Sequence, residues 1–159
     1  MKAKGLDRVR IVAEATPLAQ LPRLSDHLGI DLWIKRDDLA GPSIGGNKAR
    51  QLEYYFGAAQ AEGADTILIT GAVQSNFVRI AAAVARMLDM HLIVQLEDRV
   101  SKVGDLYQSS GNVLLFKILG AEVVRYATGE DEAGADEALY ARAEALRAEG
   151  RRPYVIPLG

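Results

Sequence analysis

Cysteine is absent from the 159-residue chain, which excludes disulfides and thiolate metal sites and fits a reducing compartment. The only two histidines, His27 and His91, stand alone, and no metal-ligand spacing accompanies either. Long apolar runs are missing too: no segment reaches bilayer-spanning length, and Met1 to Arg10 lacks the apolar centre of a signal peptide. Basic clusters are also lacking, and the formal net charge is −2, so the electrostatic footprint of a nucleic-acid binder is missing. The expectation is a cytoplasmic protein with no metal, nucleic-acid or membrane partner.

What the chain does have is ordinary globular material, 49% hydrophobic and 25% charged, at a length that buries about two-thirds of its unfolded surface. Thr16-Pro17-Leu18 and Leu21-Pro22-Arg23-Leu24 read as an extended opening segment, because each proline biases its predecessor away from helix. A short strand over 31–35 and a glycine-containing loop through Gly41-Pro42 to Gly46 follow. From Asn47 to about Glu62, Leu52, Tyr55, Phe56 and Ala59 recur at helical spacing, with Gly63 as the stop. Strands at 66–70, 91–96, 122–126 and 153–156 then alternate with helices at 75–88, 111–119 and 132–149. Such alternation predicts an α/β fold, an open parallel sheet with helices on both faces.

Two short stretches carry chemistry. Gly45-Gly46-Asn47-Lys48 places a lysine behind paired glycines where a helix begins. The glycines permit backbone angles closed to other residues, and the helix start leaves N–H groups free to meet an anion. The positive end of a helix favours the neutral form of an amine, and a neutral amine can condense with an aldehyde. A phosphate loop would need glycine before the lysine and serine or threonine after it; Asn47 and Ala49 stand there instead. The plain alternative is a solvated lysine on a first helical turn. The second stretch, Gly71-Ala72-Val73-Gln74-Ser75-Asn76-Phe77, lies between a strand and its following helix, where open parallel sheets bind ligands. Ser75 or Asn76 would serve as an N-cap, or the pair would hold a carboxylate or phosphate oxygen. Together the two stretches suggest a small anionic ligand carrying an aldehyde.

Through these residues, and through Ile34-Lys35-Arg36-Asp37-Asp38, Arg50-Gln51-Leu52-Glu53, Gly111-Asn112-Val113-Leu114-Leu115 and Pro153-Tyr154-Val155-Ile156-Pro157, the chain resembles the D-cysteine desulfhydrase and 1-aminocyclopropane-1-carboxylate deaminase family. That family belongs to the pyridoxal-phosphate enzymes of the tryptophan-synthase-β fold, fold type II. The resemblance implies that Lys48 carries pyridoxal 5'-phosphate as a Schiff base and is catalytic. It implies that Asn76 binds the ring oxygen, and that Ser75 contacts the substrate carboxylate and takes part in proton transfer or nucleophilic attack. Gln74, Ser75, Asn76 and Phe77 would line the substrate site. Phe77 stands where many relatives carry histidine or another polar residue, so an aromatic there would stack beside the cofactor, narrow the pocket or face the core. The implied reaction removes a proton from a small amino acid, the cofactor stabilising the carbanion, and ends in a keto acid and ammonia.

The resemblance covers only the first half of a relative. It implies that residues 1–50 are the opening arm of a larger cofactor domain and residues 51–159 a small α/β domain. The phosphate-binding loop, the residue facing the pyridine nitrogen and further catalytic tyrosines would lie in the other half. The complete enzyme would be a homodimer. The competing expectation is a non-catalytic α/β module that folds or dimerises without productive cofactor binding, with its arm leaving apolar surface exposed.

Overall fold

The computed structural model describes residues 5–101, 104–129 and 131–157. A two-stranded antiparallel hairpin, β1 (Leu18–Gln20) with β2 (Trp33–Lys35), pairs Leu18 with Lys35 and Gln20 with Trp33. Between them runs α1 (Pro22–Leu28), where the sequence reading expected extended chain. The correction has a simple cause: Pro22 occupies the first helical positions, where its missing N–H costs nothing and its fixed φ suits a helix.

The main sheet is parallel, in the order β5-β4-β3-β6, built from β3 (Thr66–Ala72), β4 (His91–Glu97), β5 (Glu122–Tyr126) and β6 (Pro153–Ile156). The connecting helices are α2 (Lys48–Ala61), α3 (Asn76–Met87), α4 (Asp105–Ser109), α5 (Asn112–Ile118) and α6 (Glu132–Ala148). Successive strand residues point to opposite faces. Ile67 and Ile69 of β3 and Leu92, Val94 and Leu96 of β4 join Leu52, Phe56, Val78, Ile80, Val84, Val113 and Phe116 in one cluster under α2, α3 and α5. Leu68 and Ile93 face the other way, onto Leu139, Ala143 and Leu146 of α6. A sheet covered on both sides explains why β3 and β4 read as nearly continuous apolar runs. The expected α/β architecture is therefore present. Among the described residues, no helix is long and apolar enough to cross a membrane.

The expected 111–119 helix is α5, and α4 before it was not anticipated. Only five residues long, with no buried side chain, α4 carries no apolar periodicity to read.

The arm before the hairpin is fastened to α2. The buried Glu53 carboxylate accepts the backbone N–H groups of Ile11 and Val12, both at 2.9 Å, and Arg8 Nε at 2.8 Å. Where the arm crosses α2, a Cβ added to Gly57 would lie 2.4 Å from the Asp7 carbonyl oxygen, so only glycine admits this approach. Farther on, Thr16 Oγ1 donates to Asp37 Oδ1 at 2.9 Å, and Arg50 Nη2 meets the same oxygen at 2.9 Å. Arg50 foremost, then Thr16, holds the Asp37 carboxyl down from 3.8 to about 2. A depressed folded-state value stabilises the fold above the ordinary carboxylate range and loses that contribution as pH falls through the folded value. The expected result is that wild type and Asp37→Asn differ in urea midpoint by a constant amount down to about pH 4, and that the difference vanishes towards pH 2.

The hairpin and the turn after it leave apolar side chains in solvent: Leu18, Trp33, Ile34 and Leu39 are each at least 40% exposed.

Candidate active site

Lys48 opens α2 behind the Gly45-Gly46 pair, with Asn47 at the N-cap. The loop leading to it is strained. Ser43, Ile44 and Gly45 take φ of 53°, 71° and 68°, and Gly46 takes 138°. For β-branched Ile44, which is also solvent-exposed, such a conformation is an outlier of the kind that collects at functional sites and costs about 1–3 kcal/mol. Gly46 N–H donates to the Ala40 carbonyl at 2.8 Å, and Arg79 Nη2 donates to the Gly45 carbonyl at 3.0 Å. A Cβ on Gly45 would sit 2.1 Å from the Asp38 carbonyl oxygen. Gly45→Ala is therefore expected to lower stability by about 2–4 kcal/mol, from the left-handed strain plus the backbone clash, and to slow any covalent chemistry at Lys48. Thermal unfolding together with a rate of aldehyde capture checks both.

The second stretch crosses from the carboxyl end of β3 into α3. Ser75 is the N-cap of α3 in extended geometry, its Oγ accepting Val78 N–H at 3.4 Å. Gln74 fastens this turn to the α4–α5 segment. Its Nε2 donates to the carbonyls of Tyr107 (2.7 Å) and Ser110 (3.0 Å), and its Oε1 accepts Asn112 N–H at 2.9 Å. Asn76 is exposed, and its Oδ1 accepts from both Arg79 Nη2 (3.2 Å) and Asn112 Nδ2 (3.1 Å). Two donors on one side fix the carbonyl there and turn the Asn76 NH₂ outward as a donor. Phe77 is 9% exposed and meets Tyr55 edge-on, with centroids 6.3 Å apart.

These elements enclose a cavity of about 370 Å³ at the carboxyl ends of β3 and β4, within the range of about 300–1,000 Å³ common for small-molecule sites. Lys48, Gln74, Ser75 and Phe77 all line it, with Gly71 and Ala72 as its floor. Asn76 is not among the lining residues. Gln51, Arg99 and Tyr107 complete the wall, and none of these three was singled out from the sequence. Among the described residues, the lining contains two cationic side chains, Lys48 and Arg99, the latter paired with Glu97 behind it, and no carboxylate.

Arg79 was also missed. It is 4% exposed, among the described residues it has no carboxylate partner and its buried Nη1 has no acceptor, and burial pushes its pKa down. By touching the Gly45 carbonyl and Asn76 together, it ties the lysine loop to the α3 turn. A signal for it was legible: Arg79 is the one charge within the otherwise apolar or small run from Phe77 to Ala85.

A sequence profile of the family described as "Pyridoxal-phosphate dependent enzyme" matches residues 9–159. A D-cysteine desulfhydrase of Klebsiella pneumoniae is 44% identical over 152 residues, which cover 96% of this chain and 45% of that protein. One from Salmonella paratyphi B is 41% identical with the same coverage. The chain thus spans about half the length of the curated relatives it matches. Among solved structures, an ACC deaminase homologue superposes with a TM-score of 0.85 at 40% identity, covering 96% of this chain and 45% of that one. A fungal L-serine ammonia-lyase from Rhizomucor miehei shares the fold, with a TM-score of 0.64 at 19% identity, covering 93% and 41%. Matched by that profile over residues 9–159, the chain belongs to the pyridoxal-phosphate-dependent enzyme family.

Proposed function

We propose that this chain contributes the lysine-bearing half of a pyridoxal-phosphate-dependent lyase or deaminase acting on a small amino acid. The observation that carries the reading is the convergence of Lys48 and Ser75 on one anion-favouring cavity. The residues present fit the cofactor: the cavity is large enough for a ring and Lys48 is exposed at its wall, while Asn76, the expected partner of the ring oxygen, stands outside the lining. When bound, the group supplies an electron sink that lets a Cα–H bond break.

The chain's own residues do the rest. Lys48 Nζ would hold the group covalently, and its amine would serve as the base for the α-proton. Ser75 Oγ and the N-terminus of α3 hold the substrate carboxylate. Gln74, Arg79 and Asn112 act as positioning residues, since their hydrogen bonds hold the turn and the loop in place. Phe77 gives the cavity an apolar wall. With D-cysteine the outcome would be loss of the α-proton and of the β-sulfur as sulfide. Water then converts the enamine product to pyruvate and ammonia.

The exposed apolar side chains of the hairpin support a further element of the reading. Residues 1–50 are the arm of a larger domain whose remaining strands cover Leu18, Trp33 and Ile34, and residues 51–159 are the small domain. Turnover then requires the remainder of that domain. The test is ammonia and keto-acid release from D-cysteine and from 1-aminocyclopropane-1-carboxylate by the protein that carries this sequence, loaded with pyridoxal phosphate. Release from at least one, lost on Lys48→Ala, is expected. Release from neither, or release that survives the substitution, contradicts the reading.

A further inference from the structure

The cavity that holds Lys48 has a second cation, and its mounting is unusual. Arg99 lies just beyond the carboxyl end of β4. Its Nε and Nη2 both donate to Oε2 of Glu97, at 3.0 and 2.8 Å. Glu97 is completely buried, and its other oxygen accepts Thr70 Oγ1 at 2.7 Å. A carboxylate locked into the sheet thereby fixes the guanidinium plane. Glu132 lies farther off, 3.8 Å from Nη2, and Nη1 makes no hydrogen bond among the described residues. A flexible surface arginine would spread its charge over many positions. This one presents pre-oriented N–H groups to the cavity, and a planar guanidinium is suited to paired oxygens.

An uncharged small amino acid has no use for that group. Its carboxylate is served by Ser75 and the α3 N-terminus, and its amine goes to the cofactor. Once Lys48 is joined to the cofactor, Arg99 is the one remaining cation among the described lining residues, held from behind by the Glu97 carboxylate, and no acid lines the cavity itself. We propose that Arg99 is a specificity-determining residue that selects amino acids bearing a second anionic group, an oxyanion on the side chain, at the substituent that leaves or stays when the α-proton is lost. This inference rests on the lyase reading of the same cavity and narrows its substrate class.

Calorimetric titration of the protein that carries this sequence, after incubation with pyridoxal phosphate and borohydride so that Lys48 is capped, with aspartate, O-phosphoserine and cysteic acid, each in both enantiomers, against serine and asparagine tests it. The anionic compounds should bind about 10- to 100-fold more tightly than the neutral ones, the range expected for hydrogen bonds to a charged group. Whichever of carboxylate, phosphate and sulfonate binds tightest identifies the oxyanion. Arg99→Met should remove the preference, and Arg99→Lys should retain part of it, as a point charge without the fork. Because Arg99→Met strands a buried carboxylate, the double variant Glu97→Gln, Arg99→Met serves as the folded control and should show the same loss. Equal binding of anionic and neutral compounds, absence of binding by all of them, or a preference that survives in the double variant would overturn the assignment. Borohydride trapping of pyridoxal phosphate on Lys48 in the same preparation reports separately on the lyase reading. Trapping without anion preference removes Arg99's role alone, whereas anion preference without trapping removes the cofactor reading and leaves Arg99 as an anion subsite.

Discussion

Replacing Lys48 with alanine should abolish covalent capture of pyridoxal phosphate, reducing both the yellow absorbance and the borohydride-stable label to the background of surface lysines. The other described lysines are badly placed to substitute. Lys35 Nζ donates to the Thr16 carbonyl at the hairpin, and Lys117 lies in the last turn of α5; neither lines the cavity. Lys48→Arg should fail equally, because it keeps the charge but lacks a nucleophilic amine. The fold should not notice, since Lys48 is exposed at a helix start, and a surface substitution of this kind changes stability by about 0.5 kcal/mol or less. Loss of label with an unchanged unfolding midpoint is therefore the expected pair of observations. Retention of stoichiometric label in Lys48→Ala would mean that another amine does the chemistry.

The largest effect on stability is expected at Glu53. Its carboxylate is the shared acceptor for Ile11 N–H, Val12 N–H and Arg8, and it is 1% exposed. Glu53→Ala leaves two backbone donors with no acceptor where the arm meets α2, and opens a void where the side chain stood. A buried donor left unsatisfied costs about 1–3 kcal/mol, so the variant should lose about 2–5 kcal/mol, visible as a lower urea midpoint. Glu53→Gln keeps one acceptor oxygen and should fall between. The arm should also become the first site of proteolytic cleavage, because the pins at Ile11 and Val12 are gone. An Ala variant within error of wild type would show that the arm is held by other contacts, such as its close crossing over Gly57.

The start of α2 and the loop before it thus show what a motif contains. In the run from Gly45 to Glu53, Gly45 permits the strained turn, Lys48 faces the cavity, Arg50 holds Asp37, Leu52 enters the core and Glu53 fastens the arm. The sequence alone marked the lysine and the glycines as a candidate, beside the plain alternative of a solvated lysine on a first helical turn. It did not distinguish Glu53 from any helical glutamate, since burial by an arm forty residues away leaves no local periodicity.

The parallel sheet was legible for the opposite reason. Ile67 to Ile69 and Leu92 to Val94 are covered on both faces, and that coverage is written directly as continuous apolar runs. Ser75 was legible as a cap, whereas the engagement of Gln74 with Tyr107, Ser110 and Asn112 depends on a chain segment that approaches only after folding. Arg99 was illegible for a similar reason. Its meaning comes from a buried glutamate two residues back and from a lysine on another helix, and nothing in the Asp98-Arg99-Val100 stretch sets it apart from a solvated loop.

The central claim is that Lys48 stands in a cavity built to hold an aldehyde cofactor. Its most direct test is to incubate the 159-residue chain with pyridoxal phosphate, reduce with borohydride and map the modified peptide by mass spectrometry. The account predicts one label per chain, confined to Lys48. Label scattered over Lys35, Lys117 and the remaining lysines, or no label at all, would contradict it.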